Sequence, residues 1–161
     1  MKLRYLVAAA LAGVLCTVGV SAVLAAKRPV FSGALFSYAT GKKEVSTTTG
    51  KKGAGDKNAR AGFTAVIDGT SFCWSIAAKN VDGTPSGAHI HRGGPSRNGP
   101  IVIPLDPPRD ADPGASSGCE TITAGLAREI GKNASRFYVN LHSTPGFPGG
   151  AVRGQLSWKK R

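Results

Sequence analysis

The chain has 161 residues, with 21 Lys and Arg against 9 Asp and Glu, a formal net charge of +12. That length fits one domain and is too short for two full-sized cores. Its 22 Gly and 10 Pro, about a fifth of the residues, favour a turn-rich β protein and exclude a coiled coil, a multi-pass membrane protein or a large cofactor enzyme.

The first element in chain order is an export signal. Lys2 and Arg4 make a positive start, Tyr5 to Leu24 is uncharged and apolar, and Ala25 and Ala26 supply small side chains before the basic pair Lys27 and Arg28. This order of charge, apolar run and small residues is the grammar of a secretory signal. Residues 1–26 are therefore expected to be removed, with cleavage after Ala25 or Ala26. The product would be a secreted or periplasmic domain over residues 27–161, with no stable membrane span. The alternative is an uncleaved anchor, because about 20 apolar residues can cross a bilayer. Loss of Lys2 and Arg4 and of no acid takes the charge from +12 to +10. Such a surface attracts anionic polymers, either of the cell envelope or outside the cell. Much of the charge is dispersed, or sits in glycine-rich loops such as Gly41-Lys42-Lys43, as solubility alone would explain. No motif for specific nucleic-acid recognition is present.

Period-two patterns dominate the chain beyond the signal. A first strand is expected near Val30 to Tyr38, then a long exposed loop or weak hairpin over 40–61. Phe63, Ala65 and Ile67 alternate with Thr64 and Val66 before Asp68-Gly69, a two-residue hairpin signal. The return strand places Phe72, Trp74 and Ile76 on one face and Cys73 on the other. Gly87 to His91 leads into the loop 92–99, and Ile101, Ile103 and Leu105 form a short buried strand. Ile122, Leu126 and Ile130 mark one face of the single helix, with Gly131 as its expected stop. Phe137, Val139 and Leu141 alternate with Tyr138, Asn140 and His142. A last strand turns Val152, Leu156 and Trp158 inward and Arg153 and Gln155 outward. About seven strands and one short helix predict an all-β, antiparallel, Greek-key-like sandwich of two sheets.

Cys73 and Cys119 remain after the signal is removed. In an oxidising compartment they most simply pair, closing a loop whose chain-entropy contribution is about 4 kcal/mol. Two free thiols or metal ligands are the alternatives, although neither cysteine sits in a CxxC or CxH spacing.

All three histidines fall in two segments, Ala88-His89-Ile90-His91 and Asn140-Leu141-His142. Residues two apart on a strand point to the same side, about 7 Å between Cα atoms. His89 and His91 can thus aim at one point while Ile90 enters the core. If the second strand lies alongside, His89, His91 and His142 form a candidate site for copper or zinc, which imidazole ligation suits. The competing reading has the same rings hydrogen-bonded to backbone, fixing the loop 92–99 against the sheet. Arg153 and Asn140 are candidate binding residues on that polar face, with Arg153 either gripping a carboxylate or bracing carbonyls. Nucleophilic and paired-carboxylate catalysis find no support. There is no G-x-S-x-G elbow, Asp106, Asp110 and Asp112 lie in a proline-rich loop, and most acids look exposed and unpatterned. No catalytic residue is expected.

Four ordered motifs resemble the CHRD domain, the module named after chordin. They are Ala88-His89-Ile90-His91-Arg92-Gly93, Asn98-Gly99-Pro100-Ile101-Val102-Ile103, Phe137-Tyr138-Val139-Asn140-Leu141-His142 and Phe147-Pro148-Gly149-Gly150-Ala151-Val152-Arg153-Gly154-Gln155-Leu156. Cys73-Trp74 and Gly118-Cys119 are also similar to secreted bacterial members. The resemblance covers roughly 30–158 and implies an extracellular β-rich domain with a non-catalytic binding or structural role and an extracellular protein among its conceivable partners. It does not extend to chordin's cysteine-rich repeats, so growth-factor antagonism is not carried over. The HxH strand is also similar to that of copper/zinc superoxide dismutases. The further histidines and bridging ligand of those enzymes are missing here, so dismutase activity is not expected.

Overall fold

The computed structural model describes residues 32–109 and 112–160. Residues 1–26, expected to be a signal, and Asp110 lie outside the described residues. Nine antiparallel strands are present among them: β1 (Ser32–Thr40), β2 (Arg60–Asp68), β3 (Ser71–Lys79), β4 (Thr84–Arg92), β5 (Ile101–Leu105), β6 (Gly114–Thr121), β7 (Phe137–Thr144), β8 (Val152–Gln155) and β9 (Ser157–Lys160). One helix, α1 (Ala124–Asn133), precedes β7. Among the described residues no helix is long and apolar enough to cross a membrane.

The class is all-β and antiparallel, as expected, but the sheet does not divide into two layers. Its order is β5-β4-β7-β8-β1-β2-β3-β6, with β9 also on β1, a continuous ladder that curls into a nearly closed barrel. The expected last strand is in fact two. Leu156 turns inward, 2% exposed, and its N–H still bonds the Phe137 carbonyl at 2.9 Å, the last step of the β7–β8 register. Before this residue β8 pairs with β7, and after it β9 pairs with the Gly33–Phe36 stretch of β1. β8 itself also pairs with β1 at Arg153 and Thr40, so β8 and β9 together join the two halves that a sandwich would keep apart.

β6 is the second addition to the expected seven. Its Gly-Ala-Ser-Ser-Gly run has no apolar alternation because it is an edge strand with mostly exposed side chains. It is held through its register with β3, in which Cys73 stands opposite Cys119, and these two form a disulfide. The pairing closes a loop of sequence separation 46.

The interior is filled by the inward faces of the strands, among them Leu35, Phe63, Phe72, Ile90, Phe137 and Leu141. Helix α1 covers it with Ala127 and Ile130. Thr123 caps the helix by accepting the Leu126 N–H at 3.1 Å. The helix runs through Gly131 to Asn133, contrary to the expected stop. Extension carries the buried stripe from Ile130 to Ala134, four residues on, which is 7% exposed.

The segment 40–61 also departs from expectation. It contains a 3₁₀ turn (Gly41–Lys43) and a bridge between Val45 and Lys52, so the hairpin is real but slight. It is not wholly exposed: Gly41, Glu44, Val45, Asp56 and Ala59 are buried. Asp56 ties the segment down, its Oδ1 accepting from the Asn58 and Ala59 N–H groups and its Oδ2 from Asp82 N–H at 2.8 Å.

Candidate metal centre

Strands β4 and β7 are neighbours, and their register sets Gly87 opposite His142, His89 opposite Asn140 and His91 opposite Tyr138. The intervening residues Ala88, Ile90, Val139 and Leu141 are all in the core, so the histidines share the outer face of one pair of strands. Their ring centroids lie 5.6 Å (His89–His91), 5.2 Å (His89–His142) and 6.5 Å (His91–His142) apart. One ligand nitrogen from each lies within 4.8 Å of the others. Around a tetrahedral ion with bonds of ~2.0–2.1 Å, such nitrogens stand about 3.4 Å apart, so closure takes a ring movement of up to about 1 Å.

The hydrogen bonds of the rings decide which lone pairs are free. His91 Nδ1 donates to the Gly99 carbonyl at 2.9 Å, and His142 Nδ1 donates to the Pro148 carbonyl at 2.9 Å. A carbonyl only accepts, so in both neutral rings the proton is on Nδ1 and Nε2 carries a bare lone pair. Those two Nε2 atoms are buried and have no hydrogen-bond partner, and His89 Nδ1 is in the same state. Backbone bracing and ligation are therefore not exclusive. One nitrogen of each of two rings anchors a loop, 92–99 or 145–150, and the other nitrogen has no protein partner, the pattern that metal-binding histidines also show.

Burial disfavours the charged form of His89 and His91. Desolvation, with His142 and His91 nearby, lowers His89 from 6.5 to about 4. Desolvation also holds His91 below the ordinary value, with the Gly99 hydrogen bond opposing it and the His142 and Arg153 charges adding to it. At neutral pH both present neutral imidazole, the form that binds metal. Gly87 leaves the room they occupy: a Cβ there would come within 3.1 Å of His89 Cε1.

A polar network flanks the cluster on the side of β8. Tyr138 stacks on His91 with centroids 4.8 Å apart and planes at 3°. On its β8 flank the Arg153 guanidinium lies 3.3 Å from the Tyr138 centroid. Arg153, 1% exposed, donates to Asn98 Oδ1 at 2.9 Å and to the Gly94 and Arg97 carbonyls at 2.7 and 2.9 Å, so its guanidinium holds the loop 92–99. Asn140 Nδ2 donates to the Val152 carbonyl at 2.9 Å and to Glu44 Oε2. Both candidate binding residues thus meet protein oxygens next to the cluster. Glu44 is absent from the expected site residues, since the acids look mostly exposed in the sequence; it is 3% exposed, and burial raises its pKa above 4.5. Two glycines make room for it: Gly150, whose φ of 131° and lack of a Cβ let the carboxylate approach, and Gly55, whose missing Cβ leaves space for the Glu44 Cβ.

No curated protein and no solved structure matches the chain. A family model described as the CHRD domain matches residues 35–156, a span that runs from Leu35 within β1 to Leu156 and includes every residue of the cluster. The chain belongs to the CHRD domain family.

Proposed function

We propose that the protein is an exported, non-catalytic binding domain whose ligand is a copper or zinc ion held by His89, His91 and His142. One observation carries the reading: three ligand nitrogens converge within 4.8 Å while buried ring nitrogens on all three residues lack any partner. A solely structural role would satisfy both nitrogens of each ring, because an unpartnered buried polar atom costs about 1–3 kcal/mol. All-imidazole ligation suits Cu(II) and Zn(II), with water completing the sphere. Export rests on the order of charge and small residues in 1–26, and a secreted or periplasmic location fits the disulfide. The absence of a nucleophile–base pair beside the cluster, among the described residues, is the basis for reading the domain as non-catalytic.

Calorimetric titration of chelator-treated protein with Cu(II) and Zn(II) tests this. The expected outcome is one site with a Kd below ~10 μM that His142→Gln weakens at least about tenfold in a protein that stays folded. Lost stability with unchanged metal binding would instead make the rings braces alone.

A further inference from the structure

Beyond the imidazole cluster, β8 floors a second recess. Lys43 from the 3₁₀ turn, Lys52 from the loop after it, Pro95 from the loop 92–99, and Arg153 and Gln155 from β8 enclose about 250 Å³. Three of these five residues are cationic and none is acidic, and no histidine takes part. The lysines are exposed, while Arg153 is 1% exposed. The donors of Arg153 end on neutral oxygens, its Nε has no partner, and among the described residues the one ion pair is Arg92 with Glu129. Glu44 acts on this guanidinium through its charge, without a bond to it. Burying a cation without a bonded anion is unfavourable, and two more cations around the same recess add to its positive potential. The wall is stiff, because the Gln155 amide donates to the Gly93, Ser135 and Phe137 carbonyls at 2.8, 2.8 and 3.2 Å.

We propose that this recess binds one oxyanionic group, a phosphate, sulfate or carboxylate, either as the free ion or as a repeating unit of an anionic envelope polymer. Lys43 and Lys52 act as point charges at the mouth and Arg153 as the fixed cation of the floor. Pockets for larger organic ligands run from about 300 Å³ upward, so this volume suits a single charged unit. The site differs from general attraction to a basic surface in being local to two lysines.

The test titrates the full chain with inorganic phosphate and with polyphosphate at about 150 mM NaCl, where long-range attraction is screened. Two variants of equal charge loss are compared: Lys43→Gln with Lys52→Gln at the recess, and Lys79→Gln with Lys159→Gln on exposed positions of β3 and β9. Saturable phosphate binding is expected, weakened at least about tenfold by the recess pair and less than about twofold by the remote pair, with phosphate displacing polyphosphate. Polyphosphate held far more tightly per site than phosphate, yet sensitive to the same pair, identifies the polymer as the source; equal affinities identify the free ion. Lys43 also donates to the Tyr38 carbonyl at 2.6 Å, so Lys52→Gln alone replaces the pair if the double variant unfolds. Equal losses in both variants, or no saturable phosphate binding, overturn the proposal.

Discussion

At the scale of single residues, the centre depends on what each imidazole does with its two nitrogens. His91 and His142 spend Nδ1 on the carbonyls of Gly99 and Pro148, which fixes the tautomer and turns Nε2 toward the shared space. Gly87 preserves that space, since it pairs with His142 and stands two residues from His89 on the same strand face. Gly87→Val, with branches reaching beyond a Cβ already 3.1 Å from His89, is expected to lower zinc affinity at least about tenfold while leaving the far-ultraviolet circular dichroism unchanged. Unaltered affinity would mean that the rings do not use that space. The acid response is set mainly by His89. Its value is 6.5 when unfolded and about 4 when folded, so between those pH values the unfolded chain binds more protons and stability falls as pH falls. His91, also lowered, has the same sign. Glu44 opposes both, because its folded value is raised above 4.5 and just above that pH the folded chain holds the extra proton. Urea unfolding of metal-free protein at pH 7 and pH 5 is expected to show a loss of stability that is smaller in His89→Gln; an equal loss would contradict the assigned burial.

At the scale of elements, β4 and β7 are the platform and the loops 92–99 and 145–150 are its lid. Arg153 and the two anchored histidines hold those loops, so the strands and the loops form one assembly. The edge strand β6 has a different support. It contributes little apolar burial, and the Cys73–Cys119 bond ties it to β3 across a separation of 46 residues. Replacing both cysteines by serine is expected to lower stability by up to about 4 kcal/mol, seen as a fall in Tm, with metal affinity kept because β4 and β7 lie on the other arm of the ladder. A loss of metal binding at temperatures where the variant is still folded would contradict this separation. The same elements show which patterns a sequence can carry. Strands with one buried face, such as Phe63–Ile67 and Phe72–Ile76, announce themselves by alternation. β6 does not, because an edge strand with few buried side chains has no alternation to display. The break at Leu156 escapes notice because an inward leucine fits a continuous strand equally well.

At the scale of the whole molecule, one nearly closed ladder replaces the expected pair of sheets, because β8 pairs with both β7 and β1 and β9 adds to β1. The histidine cluster was legible from residue spacing, since period two fixes which side chains share a face and the polarity of both strands points the same way. The network beside it was not. Glu44 reaches Asn140 across 96 positions of sequence, and Arg153 reaches Asn98 across 55, distances at which no local pattern operates. A loop rich in glycine and lysine reads as exposed, yet close backbone approaches bury part of it and bring its carboxylate beside the cluster. The proposed centre stands or falls on three imidazoles of two adjacent strands sharing one metal ion. Electron paramagnetic resonance of the stoichiometric Cu(II) complex reads that sharing from the ion itself. Shared ligation predicts nitrogen hyperfine structure from three equivalent-type donors that His89→Gln, His91→Gln and His142→Gln each reduce by one. A spectrum dominated by oxygen donors, or one that survives all three substitutions, would contradict it.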